Sequence, residues 1–330
     1  MGPLRRYHAL RRRSLKVPSY HIYDFSIPLV TFDKKYEYQK VLDWIVNAAA
    51  PLGAEYQGRM RTGFAGGWID VYENEGKRSG AYSAPVYGTH PYMLLNYTDT
   101  LDDVFTTAHE MGHSMHTILS HETQPFIYSN YTIFVAEVPS TLSEALLLEY
   151  MLARSTDPTE RIVLLQHAID NITGTFYTQV LFADYELRAH RLAEQDKPIT
   201  SDILTEIYTQ LLKDYYGDAI DGHPLMGLTW ARIPHFYNTP YYVYQYATCF
   251  ASAARLAKEI AEGGAGAVAA RDRYLTLLRS GGNDYPMEQL RAAGVDLSQP
   301  DTVRAVVDQL DYLVTRLERE LERREGGQAC

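Results

Sequence analysis

Cysteine is scarce in this chain: Cys249 and Cys330 are the two cysteines among 330 residues. Two thiols are too few for a disulfide scaffold or for a zinc site built from thiolates. Such low cysteine usage is typical of a reducing compartment, and we therefore expect a cytoplasmic protein.

Long apolar runs and an excess of positive charge are also missing. The stretch "EALLLEYMLA" is interrupted by glutamates and does not approach the roughly 18 residues that suggest a membrane span. The formal net charge is −10 at pH 7, whereas a protein that binds nucleic acid normally presents a basic face to phosphate. With 46% hydrophobic residues the chain can build a sizeable core. We expect a globular protein whose partners include neither nucleic acid nor a membrane.

Basic residues are concentrated before Asp24, the first acid, in the segment "RRYHALRRRSLK". This segment is either an Arg-rich transit peptide or the solvated basic face of a helix that belongs to the fold. We expect the helix.

Periodicity predicts a mainly α fold with one small sheet. Between Gly63 and Tyr97 the short β-rich runs "GWIDVY", "GAYSAPVY" and "YMLLNY" are split by turn-forming residues, which predicts three strands in an antiparallel-type sheet. Helical spacing predicts helices at 35–50, 101–120, 134–154, 158–193, 200–216, 240–263, 265–280 and 301–323. No repeat or low-complexity linker divides the chain, so we expect one domain over residues 1–330.

The segment "HEMGHSMH", which begins at His109, carries the strongest chemical signal. Thr100 and Asp103 form the S/T-x-x-D/E signature of a helix start before it. His109 and His113 are one helical turn apart, so both imidazoles project from one face and can reach one cation. Glu110 stands beside them. This H-E-x-x-H pattern predicts a zinc site in which the glutamate takes a proton from the attacking water.

A catalytic zinc site usually has three protein ligands, so a third must be found. The metzincin pattern requires Gly and His at two later positions that are His116 and Leu119 here, which excludes it. His116 lies on the same helix face as the histidine pair. We expect it to support a ligand or to pack, and a direct ligand role is the less favoured alternative.

The other common third ligand is a glutamate from a following helix, and four acids qualify: Glu122, Glu137, Glu144 and Glu149. Glu122 is too near the end of the same helix. Glu137 opens the segment "FVAEVPSTLSEALLLEYML", where Pro139 suits a first helical turn, and it is the best third ligand. Glu144, two turns further on, either orients a ligand imidazole or is an ordinary helix acid.

Several segments together resemble the oligoendopeptidase F branch of the thimet-oligopeptidase family of zinc metallopeptidases. They are "HEMGHSMH", "FVAEVPST", "GKRSGAYS", "YGTHPYMLLNYTDTLDDVFTTAHE", "WARIPHFYNTPYYVYQYAT" and "LLRSGGNDYP". The resemblance covers nearly the whole chain. It implies a zincin-like catalytic domain with one zinc ion per chain, in which His109, His113 and Glu137 bind the metal and Glu110 is the general base.

The resemblance also implies roles outside the metal centre. His235, Tyr242 and Tyr244 match the segment that supplies hydrogen-bond donors to the substrate and to the oxyanion, with Tyr237 a weaker candidate. The alternative is packing, because a chain with 27 tyrosines clusters some of them anyway.

The strand "SGAYS", which contains Gly80 and Ala81, resembles the edge that pairs with an extended peptide by β-augmentation.

This chain departs from the family pattern in two respects. Family members carry a large helical N-terminal half that forms the other wall of the substrate channel, and this sequence begins after it. We expect the exposed surface to be covered by self-association or by a partner. Cys249 stands where a glycine or another small residue is expected.

These observations predict a zinc-dependent endopeptidase that hydrolyses internal bonds of short, unstructured oligopeptides. Two alternatives remain open: an exopeptidase that removes terminal residues, and a zinc-stabilised domain without activity. Retention of Glu110 disfavours the second alternative, because a purely structural site needs ligands but no base.

Overall fold

The computed structural model describes residues 1–328, and residues 325–328 by their backbone alone. Its helices are α1 (Gly2–Leu15), α2 (Tyr38–Ala48), α3 (Ala54–Ala65), α4 (Leu101–Thr123), α5 (Ile133–Arg154), α6 (Pro158–Ile172), α7 (Thr178–Glu194), α8 (Ser201–Tyr216), α9 (His235–Asn238), α10 (Tyr244–Ala261), α11 (Gly264–Arg279), α12 (Pro286–Ala292) and α13 (Pro300–Gln328). Its strands are β1 (Ile69–Tyr72), β2 (Tyr82–Ala84) and β3 (Tyr92–Tyr97). The predicted fold class, mainly α with one small sheet, is confirmed.

Most predicted helices appear close to their expected bounds. Two helical regions differ from the prediction. The predicted segment 158–193 consists of α6 and α7, joined by a π-helical turn at Thr173–Tyr177. Helix α3 was not predicted, because Gly58 and Gly63 lower its intrinsic helix propensity.

The sheet is mixed, with strand order β1-β3-β2. Strand β2 pairs antiparallel with β3, as predicted, through pairs such as Ser83 with Met93. Strand β1 pairs parallel with β3, through pairs such as Ile69 with Met93, so the expected antiparallel arrangement was wrong for this pair. The chain reverses direction between β1 and β2 and again between β2 and β3, so β3 runs parallel to β1. Strand β3 lies between the other two strands. Strand β2 is therefore an edge strand.

The described chain forms two compact units. The first contains Met1–Phe32, Thr156–Thr248 and the described part of Val307–Cys330, and the second contains Asp33–Ser155 and Cys249–Val306. The single domain expected from the sequence stays a prediction. Cys249 is buried in the second unit, whereas Cys330 lies outside the described residues.

The basic N-terminal segment is helix α1 of the first unit, as expected. Leu4, Tyr7 and Leu10 are buried along one side of this helix. Arg11 is also fully buried, and its guanidinium Nε donates to the Tyr20 hydroxyl at 2.8 Å. Burial of a charged group is costly unless it is hydrogen-bonded, and this contact helps to satisfy the guanidinium.

Helices α4 and α5 form the core of the second unit and carry the predicted metal ligands. Met111 and Met115 of α4 and Val138 and Leu142 of α5 are completely buried. Fully burying such side chains contributes roughly 1.5–3 kcal/mol each.

One expectation for α5 was wrong: Pro139 lies inside the helix and not in its first turn. The helix begins at Ile133, after Thr132 in extended conformation. An interior proline removes one backbone hydrogen bond and usually breaks a helix. Here buried apolar residues on both sides of Pro139 continue the helix through it.

No helix in the described part of the chain has the length and apolar character needed to cross a membrane.

Candidate active site and metal centre

Helix α4 begins at a fixed point and therefore fixes the direction of the H-E-x-x-H side chains. The Thr100 hydroxyl accepts from the Asp103 backbone N–H at 3.2 Å, and Asp103 Oδ2 accepts from the Thr100 backbone N–H at 2.9 Å. This reciprocal capping box satisfies two backbone donors at the helix start. Nine residues later, the Nε2 atoms of His109 and His113 lie 3.2 Å apart on one face.

Helix α5 brings the third predicted ligand to this pair. Glu137 Oε2 lies 3.2 Å from His109 Nε2 and 3.4 Å from His113 Nε2. The Ser140 hydroxyl donates to the same oxygen at 3.0 Å and orients the carboxylate. Among the side chains that the structure describes, these three residues form the one group of three His, Cys, Asp or Glu that could hold a metal ion.

The spacing of the three ligand atoms fits zinc. Tetrahedral zinc with bonds of ~2.0–2.2 Å holds neighbouring ligand atoms roughly 3.3–3.6 Å apart. The observed separations of 3.2, 3.2 and 3.4 Å agree within the usual ±0.2 Å. Two imidazoles and one carboxylate are also a typical donor set for catalytic zinc, which leaves one position open.

Glu144 contacts the outer nitrogen of a ligand histidine. Its Oε1 lies 2.5 Å from His109 Nδ1, so the carboxylate holds the proton at Nδ1 and leaves the Nε2 lone pair directed at the metal position. The sequence allowed two roles for Glu144: orienting a ligand imidazole, or being an ordinary acid on the helix surface. The geometry favours the first of these.

The approach of the two helices depends on Gly112. A Cβ atom there would lie 2.6 Å from the Pro139 carbonyl oxygen and 2.7 Å from the Ser140 Cα atom. Any larger residue at this position would therefore push α4 away from α5. The glycine inside "HEMGH" sets the helix spacing at which Glu137 reaches the histidines.

The electrostatics of the centre favour a bound cation. Burial alone would raise the pKa of Glu137, yet the adjacent imidazoles of His109 and His113 hold it far below its ordinary value. Burial alone would lower the pKa of His109, but Glu137 and Glu144 outweigh it and raise that pKa well above its ordinary value. The Glu137 carboxylate is thus kept ionised beside the position that a cation would occupy.

Glu110 lies in the same cavity and is 6% exposed. Burial raises the pKa of its carboxyl group, although His109 and His113 act in the opposite direction. Its Oε2 is enclosed and has no hydrogen-bond partner within the described chain. A carboxylate with a raised pKa and a free oxygen is well suited to accept a proton.

His116 packs and does not join the ligand group. It is 1% exposed, and its ring stacks on the Tyr131 ring with a centroid distance of 3.5 Å. Burial holds the pKa of His116 well below its ordinary value, so the ring is neutral.

The metal centre opens into a cavity of about 520 Å³. Edge strand β2 and the start of α5 line it, through residues that include Ala81, Ser83 and Ala136. Gly80 precedes this wall with φ +93°, a conformation that favours glycine. Its carbonyl accepts from Asn96 Nδ2 at 2.8 Å, which holds the loop that enters β2.

The predicted oxyanion residues lie in the first unit. His235 begins the short helix α9 and stacks on Tyr242, with ring centroids 5.7 Å apart. Tyr244 is the first residue of α10, and Tyr237 is 58% exposed. The roles implied for these four residues stay predictions.

Sequence reasoning missed several residues of the cavity. Tyr131 and Asn130 lie in the loop between α4 and α5, where no periodicity indicates which way a side chain points. Ser83 was also missed, although it lies only two residues after Ala81; both residues and the intervening Tyr82 line the cavity. The Ser83 hydroxyl lies 2.8 Å from the Ser114 hydroxyl and ties this strand to α4.

Comparison with known proteins shows to which family the chain belongs. The profile of peptidase family M3 matches residues 4–308. The chain belongs to this family. It is 42% identical to the oligopeptidase PepF of Bacillus subtilis (strain 168) over 316 residues, which cover 96% of this chain and 47% of that protein.

Two further relatives agree. The chain is 40% identical to an oligoendopeptidase F homolog of Lactococcus lactis subsp. lactis (strain IL1403), with 97% of this chain and 53% of that protein covered. A crystal structure of oligoendopeptidase-F from Enterococcus faecium matches with a TM-score of 0.74 and 31% identity, over 98% of this chain and 50% of that one. The chain thus spans about half the length of the curated relatives that it matches.

Proposed function

We propose that this chain is the catalytic portion of a zinc-dependent endopeptidase that hydrolyses internal bonds of short, unstructured oligopeptides. The observation that carries the proposal is the convergence of His109, His113 and Glu137 at tetrahedral spacing, with Glu110 in the same cavity. Membership of peptidase family M3 and the names of the relatives support it.

A zinc ion bound at this centre would polarise the scissile carbonyl and make a water molecule more acidic. His109 and His113 would hold it through their Nε2 atoms, and Glu137 through its Oε2 atom. Glu144 keeps the proton on His109 Nδ1, so the neutral tautomer presents its lone pair to the metal position.

Glu110 moves the proton that hydrolysis requires. Its carboxylate takes a proton from the attacking water and returns it to the nitrogen of the leaving amine. Burial raises its pKa, which makes it a stronger base than an exposed glutamate. Glu110 is 6% exposed, which limits competing water around the carboxylate.

Substrate would lie along edge strand β2. The outer edge of β2 has no strand partner among the described residues, and Ala81 to Ser83 line the cavity. An extended peptide can add to such an edge through main-chain hydrogen bonds, which suits flexible substrates and tolerates varied side chains. His235, Tyr242 and Tyr244 would stabilise the negative charge that develops on the carbonyl oxygen.

One experiment tests the proposal and separates its alternatives. The zinc-loaded protein is incubated with a mixed peptide pool, with and without a chelator, and the cleaved bonds are mapped by mass spectrometry. We expect internal cuts that the chelator abolishes and that added zinc restores. Terminal cuts would indicate an exopeptidase, and no cuts from a zinc-loaded protein would indicate a domain without activity.

A further inference from the structure

A group of large apolar side chains is exposed beside the cavity, on two neighbouring segments of the second unit. Phe126, Ile127 and Tyr128, in the loop between α4 and α5, are 68%, 78% and 48% exposed. Tyr87, which follows strand β2, is 42% exposed, and its ring meets the Phe126 ring edge-on at a centroid distance of 5.3 Å. These four residues are called the aromatic platform below.

The backbone of the platform loop packs closely against Gly281 and Gly282. The Gly282 backbone N–H donates to the Tyr128 carbonyl at 2.8 Å. A Cβ atom on Gly281 would overlap the same carbonyl, and one on Gly282 would lie 2.6 Å from the Asn130 carbonyl oxygen. These contacts give the "SGG" part of the segment "LLRSGGNDYP" a physical role. A fixed loop loses little conformational entropy when a ligand binds to it.

The platform lies close along the chain to residues that line the cavity. Tyr87 is two residues beyond Pro85, and Tyr128 is two residues before Asn130, and both Pro85 and Asn130 line the cavity. A chain reaches at most ~3.3–3.6 Å per residue, so Tyr87 and Tyr128 lie within about 7 Å of these residues and Phe126 within about 14 Å of Asn130.

We propose that the aromatic platform binds an apolar side chain of the peptide substrate, preferably an aromatic one, beside the cavity. The inference rests on the proposed function and adds a determinant of substrate preference to it. Aromatic side chains pair edge-on or in offset stacks, and such pairs contribute beyond the area that they bury. A second copy of the chain is a less suitable occupant of the platform. Stable protein–protein interfaces use roughly 20–30 residues per partner, whereas the platform consists of four residues.

The test measures binding, so that it does not depend on cleavage. Fluorescently labelled ten-residue peptides of Ser and Gly, each with one Phe at a different position, are titrated against the zinc-loaded Glu110→Gln variant by anisotropy. We expect the best Phe peptides to bind about 5–10-fold more tightly than the all-Ser/Gly peptide. Adding Phe126→Ala should reduce that preference to within twofold.

Tyr72 provides a matched control, because it is 57% exposed on β1, the opposite edge strand of the sheet. Tyr72→Ala should keep the full preference for Phe. Three results would overturn the proposal: equal binding of Phe and all-Ser/Gly peptides, a preference that survives Phe126→Ala, or self-association of the protein that Phe126→Ala abolishes.

Failure of this inference and failure of the proposed function give different results. A protein that prefers Phe through the platform but never cleaves a peptide keeps the inference and contradicts the endopeptidase. A protein that cleaves internal peptide bonds without preference for Phe supports the endopeptidase and contradicts the inference about the platform. Where cleavage occurs, the mapped cuts of the Phe peptides should lie at one constant distance from the Phe.

Discussion

Replacing Gly112 with alanine tests whether the spacing of two helices creates the metal centre. The new Cβ atom would lie 2.7 Å from the Ser140 Cα atom and 2.9 Å from the Pro139 carbonyl carbon. Carbon atoms in contact prefer at least ~3.5 Å, so α4 and α5 must separate by about 0.6–0.8 Å. The neighbouring atoms belong to the α5 backbone and cannot rotate away.

This displacement is large compared with what the ligands tolerate. The histidines lie on α4 and Glu137 on α5, so a shift between the helices changes the 3.2 and 3.4 Å separations directly. Metal–ligand distances vary by only about ±0.2 Å. We therefore expect Gly112→Ala to weaken zinc binding at least ~10-fold, which corresponds to about 1.4 kcal/mol. Overpacking should cost a further 1–3 kcal/mol of folding stability, roughly, which a typical domain survives.

The assay is a zinc titration in competition with a chromophoric chelator, with circular dichroism to check that the metal-free variant is folded. Gly58→Ala is the matched control: Gly58 also lies inside a helix, but no atom lies within 4 Å of its Cβ position. That control should bind zinc normally and be as stable as the parent or slightly more stable. A folded Gly112→Ala protein with zinc affinity within twofold of the parent would refute the reasoning.

Three further substitutions separate proton transfer, ligand orientation and oxyanion binding. Glu110→Gln should keep zinc but lose at least ~10²-fold in peptidase kcat, because only the proton acceptor is removed; near-normal turnover at equal zinc content would exclude Glu110 as the base. Glu144→Gln should weaken zinc binding by about 10–100-fold in the chelator assay, because His109 loses its carboxylate partner. An unchanged zinc affinity would show that Glu144 does not support His109. Tyr244→Phe should lower kcat more than it raises KM if its hydroxyl acts in the transition state, whereas unchanged kinetics would support a packing role.

The local features of the site were readable from the sequence because they depend on neighbours along the chain. The capping box at Thr100 and Asp103 is formed, and helix α4 begins at the next residue, as the pattern predicted. Spacing of four residues placed His109 and His113 on one face. Each of these predictions depends on helical geometry alone, which short sequence patterns express directly.

Pro139 shows where local rules fail. A proline disfavours a helix interior, so sequence reasoning placed it in a first turn. In the structure α5 runs from Ile133 through Pro139 to Arg154, and its buried apolar side chains offset the lost hydrogen bond. The strand order of the sheet could not be predicted either, because no local pattern indicates that β3 lies between β1 and β2.

The sequence by itself therefore determined helix α4, the histidine pair and the adjacent base, because each follows from residues a few positions apart. Only the tertiary structure decided that Glu137 reaches the pair, that Glu144 holds His109 in the right tautomer, and that the glycine pair at Gly281 fixes an exposed aromatic loop beside the cavity. The physical reason is that these contacts depend on how closely separate elements approach. At Gly112 that distance is set by the absence of a single Cβ atom facing another helix, and its meaning becomes visible only when both helices are in place.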